Sequence, residues 1–208
     1  MRSEHAKRLL DLWITIPALV VLSPLFVLVG VAIRLDSRGP VFFRQDRVGR
    51  DAKIFTCYKF RTMRHGADQT VHLLAFAGMA AGKPMSDDPA TPFKLALDTR
   101  VTRIGTLLRR TSIDELSQLL NVLRGEMSIV GPRPAIPYEL EHYKDWQHRR
   151  YTVNPGITGL WQVHGRGTTG FDEMMQLDVE YADSWTLWLD IKLIALTIPA
   201  ILTQRGAR

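Results

Sequence analysis

Apolar residues are distributed along this chain in several distinct ways. From Leu12 to Ile33 they form a run, LWITIPALVVLSPLFVLVGVAI, without a single charged residue. Roughly 20 apolar residues suffice for a membrane-embedded helix. In GPVFFRQDRVGRDAKIFTCYKFRTM, residues 39–63, two runs rich in Val, Phe, Ile and Tyr flank Val48-Gly49-Arg50-Asp51, which predicts a small β-hairpin. In TSIDELSQLLNVLRG the period lengthens, and Ile113, Leu116, Leu119, Leu120 and Leu123 fall on one face of an amphipathic helix. The stretch WTLWLDIKLIALTIPAIL is apolar again but carries Asp190 and Lys192. Those charges favour a helix at the membrane interface, or packed on the domain, over a second span. Residues 64–98 contain HGADQT, an Ala/Gly-rich patch and then KPMSDDPATP, which predicts loop for at least the second half.

The long apolar run exceeds the h-region of a secretory signal, and no small-residue cleavage pattern follows it. Arg2, Lys7 and Arg8 precede it, and Arg34, Arg38, Arg44 and Arg47 follow it. Positive charge at both ends holds both in the cytoplasm. A helix that enters the bilayer and turns back satisfies this; a simple span does not. Ser23-Pro24 lies mid-run, where a break is needed. Proline removes an amide donor, and a serine hydroxyl can satisfy the carbonyl so freed. A kinked ordinary span is the competing expectation, and Pro17 offers a second bend.

Composition narrows the partners. A chain of 208 residues buries a real core, its single Cys57 excludes an internal disulfide, and no Cys/His spacing suggests zinc. A net charge of +6 points to an anionic partner: nucleic acid, an acidic membrane face or a phosphate-bearing substrate.

Candidate chemistry gathers at residues 111–134. Ser112-Ile113-Asp114-Glu115 fits a capping box, with Ser112 and Glu115 closing the first turn of a helix. Asp114 points away from the leucine face, towards water or a cleft, near the positive end of the helix dipole. Arg109 and Arg110 precede the turn, and Arg133 follows in a Pro-Arg-Pro loop. Strand alternation puts Lys59 and Arg61 on one face, where they are either a phosphate clamp or a solvated surface. HYKDWQHRRY, residues 142–151, mixes bases with aromatics as a membrane boundary or a nucleic-acid surface does. A Gly-punctuated loop, NPGITGLWQVHGRG, carries Arg166.

Ser23-Pro24, KFRTM at 59–63, RTSIDELSQLLNVLRGEMSIVGPRP at 110–134, PGITGLWQVHGR at 155–166 and the LWLDIK ending occur in this order. With them the chain resembles the monotopic phosphoglycosyl transferases, or bacterial sugar transferases, from about Lys7 to the C-terminus. The GLWQV and LWLDIK segments resemble the hexose-1-phosphate members. The resemblance implies an α+β, mainly helical fold with a re-entrant membrane helix broken at Ser23-Pro24, a β-hairpin and interfacial helices. It implies a membrane unit at 1–38 and a cytosolic catalytic domain at 39–208, without the further N-terminal helices and domain of larger relatives. The implied reaction moves a sugar 1-phosphate from a UDP-sugar to polyprenyl phosphate and releases UMP, with Asp114 as nucleophile. Glu115 then holds Mg²⁺ with Asp114 or tunes its carboxylate, and Lys59, Arg109, Arg133 and Arg166 bind phosphate. The place implied is the cytoplasmic face of a bacterial inner membrane, in contact with phospholipid, without nucleic acid, and compatible with a homodimer. The rival expectation is a non-catalytic, membrane-anchored basic protein that binds anionic lipid or nucleic acid. A glycosyltransferase of the ordinary kind would release UDP instead.

Overall fold

The computed structural model describes residues 3–68, 70–81, 99–164 and 169–202. The fold is mainly helical, with two small two-stranded sheets. Helix α1 (Glu4–Asp36) comes first, followed by strands β1 (Phe42–Val48) and β2 (Ile54–Phe60) and helices α2 (Thr70–Ala80) and α3 (Arg103–Arg110). A 3₁₀ segment (Ile113–Gln118) leads into α4 (Leu119–Arg124), then β3 (Ser128–Val130), further 3₁₀ turns and β4 (Gly156–Thr158). Helices α5 (Leu160–His164), α6 (Phe171–Ser184) and α7 (Leu187–Leu202) complete the chain.

The expected hairpin forms. Strands β1 and β2 pair antiparallel, from Phe42 against Phe60 to Val48 against Ile54. Among the described residues no strand pairs with the far edge of β2, and side chains take the place of one. Asn121 accepts from the Tyr58 amide at 3.1 Å and donates to Thr56 O at 2.7 Å, while the Ser117 hydroxyl donates to Tyr58 O at 3.0 Å. An uncovered edge would leave these backbone groups unpaired. This pairing is why Ser117 and Asn121 are wholly buried although both are polar.

The leucine face predicted for 113–123 is therefore only partly realised. A 3₁₀ turn repeats every three residues, so 113–118 present different side chains from those an α-helix would show. Leu119 and Val122 are buried with Ser117, Gln118 and Asn121, whereas Leu123 is exposed.

The two ends of α1 rest on the same domain. Near its start, Lys7 donates to Asp190 at 2.6 Å, Val130 O at 3.0 Å and Tyr181 OH at 3.1 Å, which occupies all three ammonium protons. Arg8 donates to the carbonyls of Val122 and Leu123 at the end of α4, and Asp11 accepts from Ser128 and the Ile129 amide. Near the far end, Val29 and Ile33 are buried with Phe60 and Leu108. Between these anchors, Ile16, Val20, Val21, Val27 and Leu28 are exposed.

Helix α1 runs through Ser23-Pro24 without interruption, although a break was expected there. Pro24 leaves Val20 O without its amide donor, and the Ser23 hydroxyl donates to that carbonyl at 2.8 Å. The serine thus supplies the bond that the proline removes.

HYKDWQHRRY is surface in part and core in part. Gln147, Arg150 and Tyr151 are buried, and Arg150 donates to Asp178 at 2.5 Å and to Tyr143 OH at 2.7 Å. These three side chains pack under α6, whereas His142, Lys144, Asp145, His148 and Arg149 remain exposed. Helix α7 packs on the domain through Leu193, as one of the two expectations had it. Asp190, buried, accepts from Lys7, Tyr181 and Trp185.

Candidate active site

Three segments bring the candidate residues together. Strand β2 carries Lys59, the last turn of α3 carries Arg109, and the first turn of the 3₁₀ segment carries Asp114 and Glu115. Helix α3 lies close to the extension of β2: a Cβ on Gly105 would sit 2.0 Å from Thr62 O, so only glycine permits the approach. Arg109 Nε then donates to Thr62 Oγ1 at 3.0 Å, which fixes the end of α3 beside the strand that carries Lys59.

The chain between Arg110 and Asp114 turns through Ser112, whose φ is +56°. A left-handed conformation at a non-glycine residue is strained and is found mostly where surroundings enforce it. The strain here ends α3 and starts the 3₁₀ turn, which sets the direction of Asp114 and Glu115. The expected capping box does not form, because Ser112 makes no side-chain cap in this conformation. Glu115 reaches across to β2 instead and accepts from Lys59 Nζ at 2.8 Å.

This pair is only partly shielded, with side-chain exposures of 28% for Lys59 and 26% for Glu115. Lys59 has three N–H donors, and the bond to Glu115 takes one. Cys57, buried between the hairpin and α4, reports what lies nearby. Burial raises its thiol above the ordinary range, while Lys59, Arg47, Glu115 and Arg133 all act on it through space.

Arg133 stands differently from the free cation that its motif suggests. Glu139, fully buried, accepts from its two terminal nitrogens at 2.9 and 3.1 Å. Burial alone would lower the Arg133 pKa and raise that of Glu139, but their mutual attraction outweighs it and both stay charged. Arg133 thus contributes oriented donors more than net positive charge. Its backbone is fixed too, because Arg150 donates to Arg133 O. Arg61 is not a phosphate clamp: it is buried, and it donates to Ser37 O at 2.6 Å and Ser37 Oγ at 2.9 Å. Arg166 lies outside the described residues.

Sequence reasoning missed Glu139, Arg150 and Asp178, which hold Arg133 in place. The one available signal was the charge within 139–150, and its mixture with aromatics reads equally well as surface.

Two adjacent carboxylates in a half-exposed turn are a donor set suited to Mg²⁺, which commonly takes one or two protein carboxylates and completes its shell with phosphate and water. No group of three His, Cys, Asp or Glu residues able to cage a metal occurs among the described residues.

A family profile described as "Bacterial sugar transferase" matches residues 2–204. The chain is 45% identical over 204 residues to the galactosyl transferase CpsE of Streptococcus agalactiae, covering 98% of this chain and 43% of that protein. It is 40% identical over 202 residues to the exopolysaccharide production protein ExoY of Sinorhizobium fredii, covering 97% of this chain and 88% of that one. It is also 40% identical over 206 residues to the undecaprenyl-phosphate galactose phosphotransferase of Salmonella typhimurium, covering 99% of this chain and 42% of that enzyme. The chain thus spans less than half of two of these relatives and most of the third. With a family match along nearly its whole length and relatives of 40% identity or more over almost all of it, the chain belongs to the bacterial sugar transferase family.

Proposed function

We propose that this protein transfers a hexose 1-phosphate from a UDP-sugar to a polyprenyl phosphate at the cytoplasmic face of a bacterial inner membrane. The observation that carries the reading is the partly exposed Lys59–Glu115 pair beside Asp114 on a strained turn. The Asp114 carboxylate attacks the β-phosphorus of the donor. The bond from that phosphorus to the bridging oxygen breaks, and UMP leaves with the oxygen. The sugar phosphate stays on Asp114 as an acyl phosphate. A terminal oxygen of the polyprenyl phosphate then attacks the same phosphorus and releases the carboxylate.

Asp114 and a diphosphate repel one another, so the site must supply positive charge and directed donors. Lys59 retains two N–H donors for phosphate oxygens, and Arg109 and Arg133 offer guanidinium donors from fixed backbones. Asp114 and Glu115 would hold a Mg²⁺ ion, which would neutralise diphosphate charge. Two of the relatives carry galactose or galactosyl in their names, which supports galactose as the first hexose to test.

Helix α1 is long and apolar enough to cross a membrane. A straight helix of 33 residues is roughly 50 Å long, more than a hydrocarbon core of about 30 Å. A crossing would part its two ends, yet both dock on one domain while the middle is exposed. We therefore read α1 as re-entrant, bending through Pro17 and Pro24 rather than breaking. Such a helix would seat the domain where a lipid phosphate and a cytosolic nucleotide sugar meet.

Incubation with UDP-galactose or UDP-glucose and polyprenyl phosphate is expected to release UMP. Release of UDP would indicate ordinary glycosyl transfer, and no release with any UDP-sugar would leave the non-catalytic binding protein. For topology, cysteines introduced as His5→Cys and Pro40→Cys should react with an impermeant label from the same side; labelling from opposite sides would establish a span.

A further inference from the structure

Helix α1 ends in a turn at residues 36–39 that forms one wall of a cavity of about 740 Å³. The acidic pair does not line it. Its charged lining is Asp36, Arg38, Arg64 and Arg103, with His65 beside them. Asp36 is already engaged, since its Oδ2 accepts from the Ile104 amide at 3.1 Å. The guanidiniums of Arg38, Arg64 and Arg103 have no hydrogen bond or ion pair among the described residues. Such forks around a recess open to solvent suit phosphate oxygens. The wall itself is fixed, because buried Arg61 is bonded to Ser37 beneath it.

On the other side of the same turn lies an apolar groove of about 480 Å³, lined by Phe26, Val27, Val31, Leu35, Val41 and Phe42. Arg34 joins the two spaces: it borders the groove, and it donates to Gly39 O on the cavity wall at 2.7 Å. A basic pocket and an apolar groove that share one turn fit an amphipathic anion, with its phosphate in one and its hydrocarbon chain in the other.

We propose that this is a binding site for one anionic phospholipid of the bilayer. The cavity lies at the Arg103 end of α3 while the acidic pair follows its Arg110 end, roughly 10 Å away along the axis. A phosphate seated here is not placed for attack on Asp114, so the occupant is a lipid that holds the domain to the membrane rather than a reactant. The inference rests on the membrane reading of α1 and not on the chemistry of Asp114.

The test uses the full chain in phosphatidylcholine nanodiscs that contain a minor fraction of phosphatidylglycerol. After transfer to neutral detergent, native mass spectrometry counts the phosphatidylglycerol retained. The wild type is expected to keep one molecule per chain. Arg64→Ala with Arg103→Ala should weaken retention about thirtyfold, from roughly 1 kcal/mol per basic residue near a lipid surface. Lys53→Ala with Arg149→Ala, which removes exposed bases elsewhere, should leave it unchanged. Equal loss from both pairs of substitutions would mean diffuse attraction and overturn the site. Displacement by polyprenyl phosphate would give the cavity to the acceptor, displacement by UMP would give it to the donor, and either overturns the proposal. UMP release is measured on the same samples: retention without release faults the transferase reading alone, and release without retention faults the lipid site alone.

Discussion

Two ion pairs in this molecule look alike on paper and do opposite work. Lys59–Glu115 closes at 2.8 Å and Arg150–Asp178 at 2.5 Å. The first is about a quarter exposed on each side, whereas the second is 1% exposed on each side. Arg150 is further bound to Tyr143 and to the Arg133 carbonyl, so its donors are committed. Lys59 has donors to spare and water within reach. A pair that must exchange a partner for a substrate phosphate needs partial exposure, and a pair that fixes a loop needs the reverse. Solvent screening makes the first pair nearly neutral for stability, while removal of one member of the second leaves an uncompensated buried charge.

The largest effect is expected at Asp114, the neighbour of Glu115 in the 3₁₀ turn. Asp114→Asn should lower UMP release by on the order of 10⁴-fold or more and abolish any phospho-sugar adduct seen by intact-protein mass spectrometry. Turnover close to wild type would remove Asp114 as nucleophile. Arg150→Met should cost about 3–5 kcal/mol of unfolding free energy in detergent, read by chemical denaturation. Lys59→Met should reverse the pattern: about 10²–10³-fold slower UMP release with less than about 1 kcal/mol lost in stability. If the two substitutions destabilise equally, the distinction between a working and a structural pair collapses.

The smallest effect is a pH dependence of the buried pair. Burial pushes the Asp178 carboxyl up to about 6, against the pull of Arg150. Its folded pKa therefore lies above the unfolded one. The folded state holds the proton more tightly, and the stability that this confers is lost as pH rises from the unfolded pKa through about 6. Asp178→Asn removes the titration, so its cost should be smaller at pH 7 than at pH 4 in paired denaturant curves. A cost that grows with pH would show that the carboxylate is held ionised.

Local pattern was a good guide wherever the neighbours in sequence are also the neighbours in space. The hairpin formed with the expected turn, because strand pairing across a short loop is nearly local. The Ser23 hydroxyl met the carbonyl that Pro24 frees, because both lie within one helical turn. Pattern misled at Ser112–Glu115: the capping box competes with a bond from Glu115 to a lysine on a distant strand, and the distant bond wins. It was incomplete at 142–151, where most of the bases are surface as they look but α6 covers Arg150.

The candidate site was therefore legible as a set of residues but not as a set of roles. Asp114, Glu115, Lys59, Arg109 and Arg133 are all named by motifs. That Arg133 is neutralised by Glu139, and that Arg61 braces the end of α1, depends on which oxygens the fold brings to them.

By itself, the sequence determined an apolar segment long enough for a membrane, the hairpin, the acidic pair and the family, since these rest on residue type and local spacing. Only the tertiary structure decided that both ends of α1 bind one domain, that Asn121 and Ser117 serve as the missing strand beside β2, and which charges are spent and which remain available. The physical reason is that a hydrogen bond or ion pair in a partly buried site depends on partners tens of residues away, and no local pattern encodes that distance.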